Sequence, residues 1–110
     1  WNQKGQDLNG RSVKDWFGHD VGISFDGDYV VVGASVEFYA KPTGYAQIYN
    51  YSVRNQTWVQ QGQDLRAPDN TGAVWSVGTS RDGRVVAIGL PFSTGINGIY
   101  TGRVLVFELS

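Results

Sequence analysis

The side chains that could do chemistry in this sequence are few and widely scattered. His19 is the one histidine, and there is no cysteine. A thiolate nucleophile, a Cys-ligated zinc and a disulfide framework are therefore excluded. A Ser-His-Asp triad or a histidine-rich zinc site finds little to work with. The acids fall into two groups. Asp7, Asp26, Asp64 and Asp82 stand in turn-like contexts, where a carboxylate bonds its own backbone. Asp15, Asp20, Asp28, Glu37 and Asp69 are the acids with more freedom to serve a function. No spacing among them marks a general acid/base pair. The loops Asp26-Gly27-Asp28 and Asp82-Gly83-Arg84 offer two carboxylates and one, too few for a calcium ion that takes six to eight oxygens. The glycines are spaced for turns and do not form a phosphate loop running into a helix. A non-enzymatic protein without a cofactor is expected.

Binding leaves more to work with. Trp16, Tyr39, Trp75 and Tyr100, with Phe92, could form a stacking platform for a sugar ring, or could fill space between sheets. Asn50-Tyr51-Ser52 and Asn55-Gln56-Thr57 both fit the rule for an N-glycan acceptor. They flank one expected hairpin, so Asn50 and Asn55 are expected modification sites if the source is eukaryotic.

What positions these residues is an internal repeat with a period of roughly 57 residues. Trp1-Asn2-Gln3-Lys4-Gly5-Gln6-Asp7-Leu8 returns as Trp58-Val59-Gln60-Gln61-Gly62-Gln63-Asp64-Leu65. Val21-Gly22-Ile23-Ser24-Phe25-Asp26-Gly27 returns as Val77-Gly78-Thr79-Ser80-Arg81-Asp82-Gly83. Gly44 and the run Tyr45–Tyr49 return as Gly102 and Arg103–Phe107. The offset drifts slightly from block to block, which places short insertions in the loops. The repeat also bears on the candidates: His19 aligns with Trp75, so its position reads as packing or surface rather than as a base.

Short β-branched and aromatic runs between turn residues give the strands. In the first copy they are 21–25, 29–34, 45–51 and 57–61, with Asp26-Gly27 as the hairpin signal. In the second they are 74–80, 84–90 and 103–109. No helix is expected. Residues 1–14 read as an orphan fourth strand and linker, 15–65 as a first complete four-stranded unit, and 66–110 as a second unit lacking its fourth strand. The orphan strand, carried by Trp1, Gln3, Gly5, Asp7 and Leu8, is expected to complete the second unit. It could do so within the chain or on a neighbouring molecule.

Composition agrees with a small all-β unit. Apolar residues make up 41% and aromatics 14%, enough for a packed core, and the 15 glycines suit many tight turns. A net charge of −1, spread along the chain, argues against nucleic-acid binding. No run approaches the roughly 18 apolar residues of a membrane span.

The segment Phe17-Gly18-His19-Asp20-Val21-Gly22-Ile23-Ser24-Phe25-Asp26-Gly27, followed by Val30-Val31-Val32-Gly33-Ala34-Ser35, resembles an FG-GAP repeat, the blade motif of integrin α-type propellers. The Trp-x-Gln-x-Gly-x-Asp-Leu strand is similar to that of tandem arrays in algae, oomycetes and marine bacteria. In the second copy Ala73-Val74 stands in place of Phe17-Gly18, and Gly89-Leu90-Pro91 in place of Gly33-Ala34-Ser35. The resemblance implies four-stranded antiparallel propeller blades, an extracellular or cell-surface setting, and roles in adhesion, carbohydrate contact or surface structure. Two blades cannot close a ring, since propellers have four to eight. The expected function is thus a structural and interaction module that assembles with copies of itself into a ring, a tandem array or a fibril. The alternative is a carbohydrate-binding propeller lectin with sites between blades.

Overall fold

The computed structural model describes residues 1–35, 44–68, 72–99 and 101–110. Its elements are β1 (Phe17–Ile23), β2 (Tyr29–Ala34), β3 (Tyr45–Ser52), β4 (Thr57–Gln60), β5 (Ser76–Thr79), β6 (Val85–Leu90) and β7 (Arg103–Glu108). The chain is all-β, with no helix among the described residues, so none is long and apolar enough to cross a membrane. The strands form a four-stranded antiparallel sheet, β1-β2-β3-β4, and a three-stranded one, β5-β6-β7.

The two sheets share one register. Asp20 faces Gly33 and Val21 faces Val32, as Ser76 faces Gly89 and Val77 faces Ile88. Ala34 faces Tyr45 and Tyr29 faces Asn50, as Leu90 faces Arg103 and Val85 faces Glu108. The first hairpin of each sheet is built alike. The Ser24 hydroxyl donates to Asp26 at 2.7 Å, and Asp26 accepts the amide of Asp28 at 3.0 Å. Ser80, Asp82 and Arg84 repeat this at 2.8 and 3.1 Å. Gly27 and Gly83 turn the chain at φ +76° and +77°, a left-handed conformation that a side chain resists. Both recurring acids thus have a backbone task, set by an Asp-Gly pair between two apolar runs.

β1 starts at Phe17, ahead of the expected Val21. A bulge between Phe17 and Asp20, with Gly18 at φ +91°, lets the strand continue past an irregularity in the ladder. β5 starts at Ser76 instead of Val74, because Val74 is fully buried against the first sheet near Gly33.

The core lies between the sheets. The inner face of the first carries Gly22, Val31, Gly33, Ala46 and Ile48. The inner face of the second carries Val77, Thr79, Val86, Ile88, Leu105 and Phe107. The glycines permit the close approach: a Cβ on Gly33 would lie 3.2 Å from the methyls of Val74 and Val77. Asp20 fastens the sheets by accepting the Val77 amide at 2.8 Å. Residues 1–16 form no strand and pack on the first sheet.

Candidate functional site

The Trp-x-Gln-x-Gly-x-Asp-Leu motif occurs twice, and the two copies fold alike locally. Gly62 has φ +71° and Gly5 φ +77°. The Gln60 amide donates to Asp64 at 3.0 Å, and the Gln3 amide donates to Asp7 at 2.7 Å. The second copy is built into the sheet. Trp58 faces Tyr51 and Gln60 faces Tyr49 on β3, while Leu65 exchanges backbone hydrogen bonds with Ala46 at 2.8 and 2.9 Å. The first copy has the same shape without a ladder.

That first copy is held along β4 by side chains. The carboxamide of Gln6 acts as a peptide group would: its Oε1 accepts the Trp58 amide at 2.8 Å and its Nε2 donates to the Trp58 carbonyl at 2.9 Å. These are edge groups that β4 would otherwise present to solvent or to another strand. The Trp58 indole N–H donates to the Lys4 carbonyl at 2.8 Å. Lys4 itself reaches Asp28 at 3.0 Å and the Gly27 carbonyl at 2.8 Å, with its ammonium 4.6 Å from the Tyr51 ring centre. Position 5 has to be glycine, since a Cβ there would sit 2.7 Å from the Trp58 ring. The sequence pattern singles out Trp1, Gln3, Gly5, Asp7 and Leu8 but not Lys4 or Gln6. The recurrence of Gln6 at Gln63 is the signal that could have found it.

The arrangement expected within the chain, with residues 1–6 completing the second sheet, is not the one adopted. β7 pairs with β6 on one side, and among the described residues no strand pairs its other side. The physical reason is placement. Gln6 and Lys4 anchor the segment to β4, on the sheet other than the one it was expected to complete. Trp1 is fully exposed, whereas its counterpart Trp58 is buried. A cavity of about 180 Å³ lies between Gln61, Gly62 and Gln63 on one side and Phe107, Glu108 and Leu109 on the other.

A second constellation crosses the junction of the sheets. Trp16 stacks on His19 with ring centres 6.2 Å apart and planes 10° apart. His19 lies 4.5 Å from Trp75, and Trp75 meets Phe92 edge-on at 5.5 Å. All four are exposed, with Trp16 at 54% and Trp75 at 43%. Trp16 has φ +54°, an uncommon backbone state for a bulky residue and one often kept at functional sites. The repeat-related His19 and Trp75 thus touch each other, with Nδ1 of His19 3.2 Å from the Trp75 carbonyl oxygen. Tyr39 and Tyr100, the other two aromatics of the expected platform, lie outside the described residues, as do Glu37 and Asp69.

Of the candidate acids, Asp15, Asp20 and Asp28 are engaged in the fold, as is Asp64. Asp15 is buried and accepts the Arg11 and Ser12 amides and the Tyr45 hydroxyl, the last at 2.6 Å. Burial, then the bond to Asp15, pushes the Tyr45 phenol up to about 12. Asp64 gathers Gln47 at 2.9 Å, Gln60, Arg66 and Arg11. Burial alone would raise its carboxyl, but the hydrogen bonds from Arg11, Gln47 and Gln60 outweigh it and hold the carboxyl below the ordinary range. Among the described residues no three His, Asp or Glu side chains stand together as metal ligands. Asn55 is exposed in the turn between β3 and β4. Asn50 lies on β3, partly buried, with its amide 3.4 Å from the Tyr29 hydroxyl.

Searches against protein-family models, curated proteins and solved structures return no match to this chain.

Proposed function

We propose that this chain is a non-enzymatic, extracellular structural and interaction module of FG-GAP-like propeller blades. It assembles with other copies of the repeat by strand complementation, into a ring, a tandem array or a fibril. The observation that carries this reading is the pair of Trp-x-Gln-x-Gly-x-Asp-Leu segments. They share one local geometry, yet one is a sheet strand with a buried tryptophan and the other is unladdered with an exposed one. A segment already bent into strand-adding shape loses less conformational freedom on pairing. An open edge such as that of β7 is a template for such pairing. Deleting residues 1–8 tests the reading. Particle size by light scattering is expected to fall to that of a single chain, with the β-sheet circular dichroism retained. A deletion variant that assembles like the full chain would overturn it.

Two further features fit an extracellular surface protein. Asn55 is an accessible glycan acceptor, and Asn50, turned toward Tyr29, is a poorer one. Intact mass before and after glycosidase treatment of eukaryotically expressed protein should show one main glycan, lost in Asn55→Gln. The exposed Trp16–His19–Trp75–Phe92 row favours carbohydrate binding as a second reading, because it presents apolar ring faces to solvent. A glycan array with no binders, together with Trp16→Ala and Trp75→Ala changes that alter only stability, would remove that reading.

A further inference from the structure

The contact between the two sheets is a template for a contact that the molecule has not yet made. The inner face of the first sheet, with Gly22, Val31, Gly33, Ala46 and Ile48, has its counterpart on the outer face of the second. There Gly78, Ala87, Gly89, Val104 and Val106 stand in the same registers. Val104 and Val106 are 67% and 65% exposed. Conversely, the inner face of the second sheet, with Val77, Thr79, Val86, Ile88, Leu105 and Phe107, has its counterpart on the outer face of the first: Val21, Ile23, Val30, Val32, Gln47 and Tyr49, of which Val32 and Gln47 are already buried. Val21 and Ile23 are 59% and 62% exposed. Each outer face, where it is open, therefore resembles the mate of the other and not its own mate. That is a heterologous, head-to-tail pair of surfaces.

The tryptophans add an address. Trp58 packs edge-on against Tyr51, lies over Gly5 and donates its indole N–H to the Lys4 carbonyl. Carried through the repeat, those three partners become Leu109, Gly62 and Gln61 for Trp1. All three line the one cavity of about 180 Å³. A Cβ on Gly62 would meet nothing within 4 Å, so the space over that glycine is empty, whereas the space over Gly5 is filled by Trp58. The β3–β4 ladder, carried over in the same way, sets Trp1 opposite Leu109, Asn2 opposite Glu108 and Gln3 opposite Phe107.

From these correspondences we infer that Trp1 of one copy of this chain docks in the cavity between Gln61–Gln63 and Phe107–Leu109 of a second copy. Asn2 and Gln3 extend the second copy's β7, and its outer sheet face settles on Val21 and Ile23 of the first. This rests on the self-assembly reading above and specifies its contact. Edge and face engage the same neighbour. The anchored segment Trp1–Leu8 stands beside β4, and an open slot of about 490 Å³ lies between it and Val21, Ile23, Val30 and Val32. An incoming sheet placed by the repeat enters that slot with β7 next to Trp1–Gln3.

Because the chain has no cysteine, single-cysteine variants report the register directly. Facing residues of an antiparallel pair lie about 4.5–5.5 Å apart at Cα, within disulfide reach. Mixing Asn2→Cys with Glu108→Cys under mild oxidation is expected to give a disulfide-linked pair. Mixing Asn2→Cys with Arg103→Cys, at the far end of β7, is expected to give none. Gly62→Asn keeps a residue tolerant of positive φ while filling the space for the indole. It should weaken assembly at least tenfold, and its melting temperature as a dilute single chain should stay unchanged. An assembled protein that gives no 2–108 cross-link, or that ignores Gly62→Asn, overturns the docking site but leaves self-assembly standing. A chain that sediments as a monomer at every concentration overturns both.

Discussion

Val77 and Val21 occupy the same place in two copies of one strand pair, yet one is half-buried and the other is mostly exposed. Ile88 and Val32 also share a register position and are both buried, Ile88 in the core between the sheets and Val32 on the outer face, at the floor of the slot beside the N-terminal segment. Trp58 and Trp1 complete the series. The two halves of the molecule thus have the same strand chemistry and different surroundings. What separates core from surface here is what covers a position, the facing sheet for Val77 and residues 4–6 for Trp58, and not its local conformation. The first sheet covers the second's inner face, and its own outer face is buried at Val32, Ala34, Tyr45, Gln47 and Trp58 and open at Val21 and Ile23.

Substitution at paired positions should break this comparison most sharply in the core. Ile88→Ala is expected to cost about 2–5 kcal/mol, the usual range for emptying a well-packed aliphatic site. Ile23→Ala, at an apolar but 62% exposed position, should change stability in the single chain by less than about 0.5 kcal/mol. Urea unfolding of both variants measures the difference. A costly Ile23→Ala in concentrated protein, and a silent one in dilute protein, would mean that the outer face becomes a core on assembly.

The hairpin glycines give a somewhat smaller contrast. Gly27 and Gly83 have the same φ, so alanine at either incurs the left-handed penalty of about 1–2 kcal/mol. At Gly83 the new Cβ would also lie 2.6 Å from the Cβ and Cγ of Tyr29, whereas at Gly27 the nearest atom is the Lys4 ammonium at 3.9 Å. Gly83→Ala should therefore be worse than Gly27→Ala by roughly 1–3 kcal/mol of overpacking. Equal melting temperatures for the two would mean that Tyr29 moves aside.

The smallest effect is electrostatic. Asp64 has its carboxyl held below its ordinary 3.8, although burial opposes the shift. A lowered folded-state value stabilises the native chain above that ordinary value, and the contribution is lost as pH falls through the folded-state value. Stability should therefore decline below about pH 4, and less steeply in Asp64→Asn, as followed by thermal melts across an acid series. Asp26 and Asp82, held down by their serine and backbone hydrogen bonds, act in the same direction but are exposed.

The strands were legible wherever alternation and turn chemistry agreed. β2 spans the residues expected of it, and β6 and β7 differ only at one end. β1 and β5 start elsewhere than alternation places them. The bulge at Gly18 and the buried crossing residue Val74, which the facing sheet holds, leave no periodic signal. Among the candidate site residues, the paired tryptophans could be read as equivalent. That one would be buried and the other exposed could not. Nor could the encounter of Trp16 and His19 with Trp75, which belongs to the other copy of the repeat and meets them only because the sheets stack.

The sequence by itself determined the repeat, the all-β class, the Asp-Gly hairpins and the two copies of one preformed strand motif. These depend on local preferences and on spacing, which are written residue by residue. Tertiary structure decided which face of each sheet became core and where the first motif came to rest. It also decided that Gln6 would close the edge of β4 while the outer edge of β7 has no strand beside it among the described residues. Those outcomes turn on which surfaces meet, and two surfaces of the same composition can be told apart only once one of them has been covered.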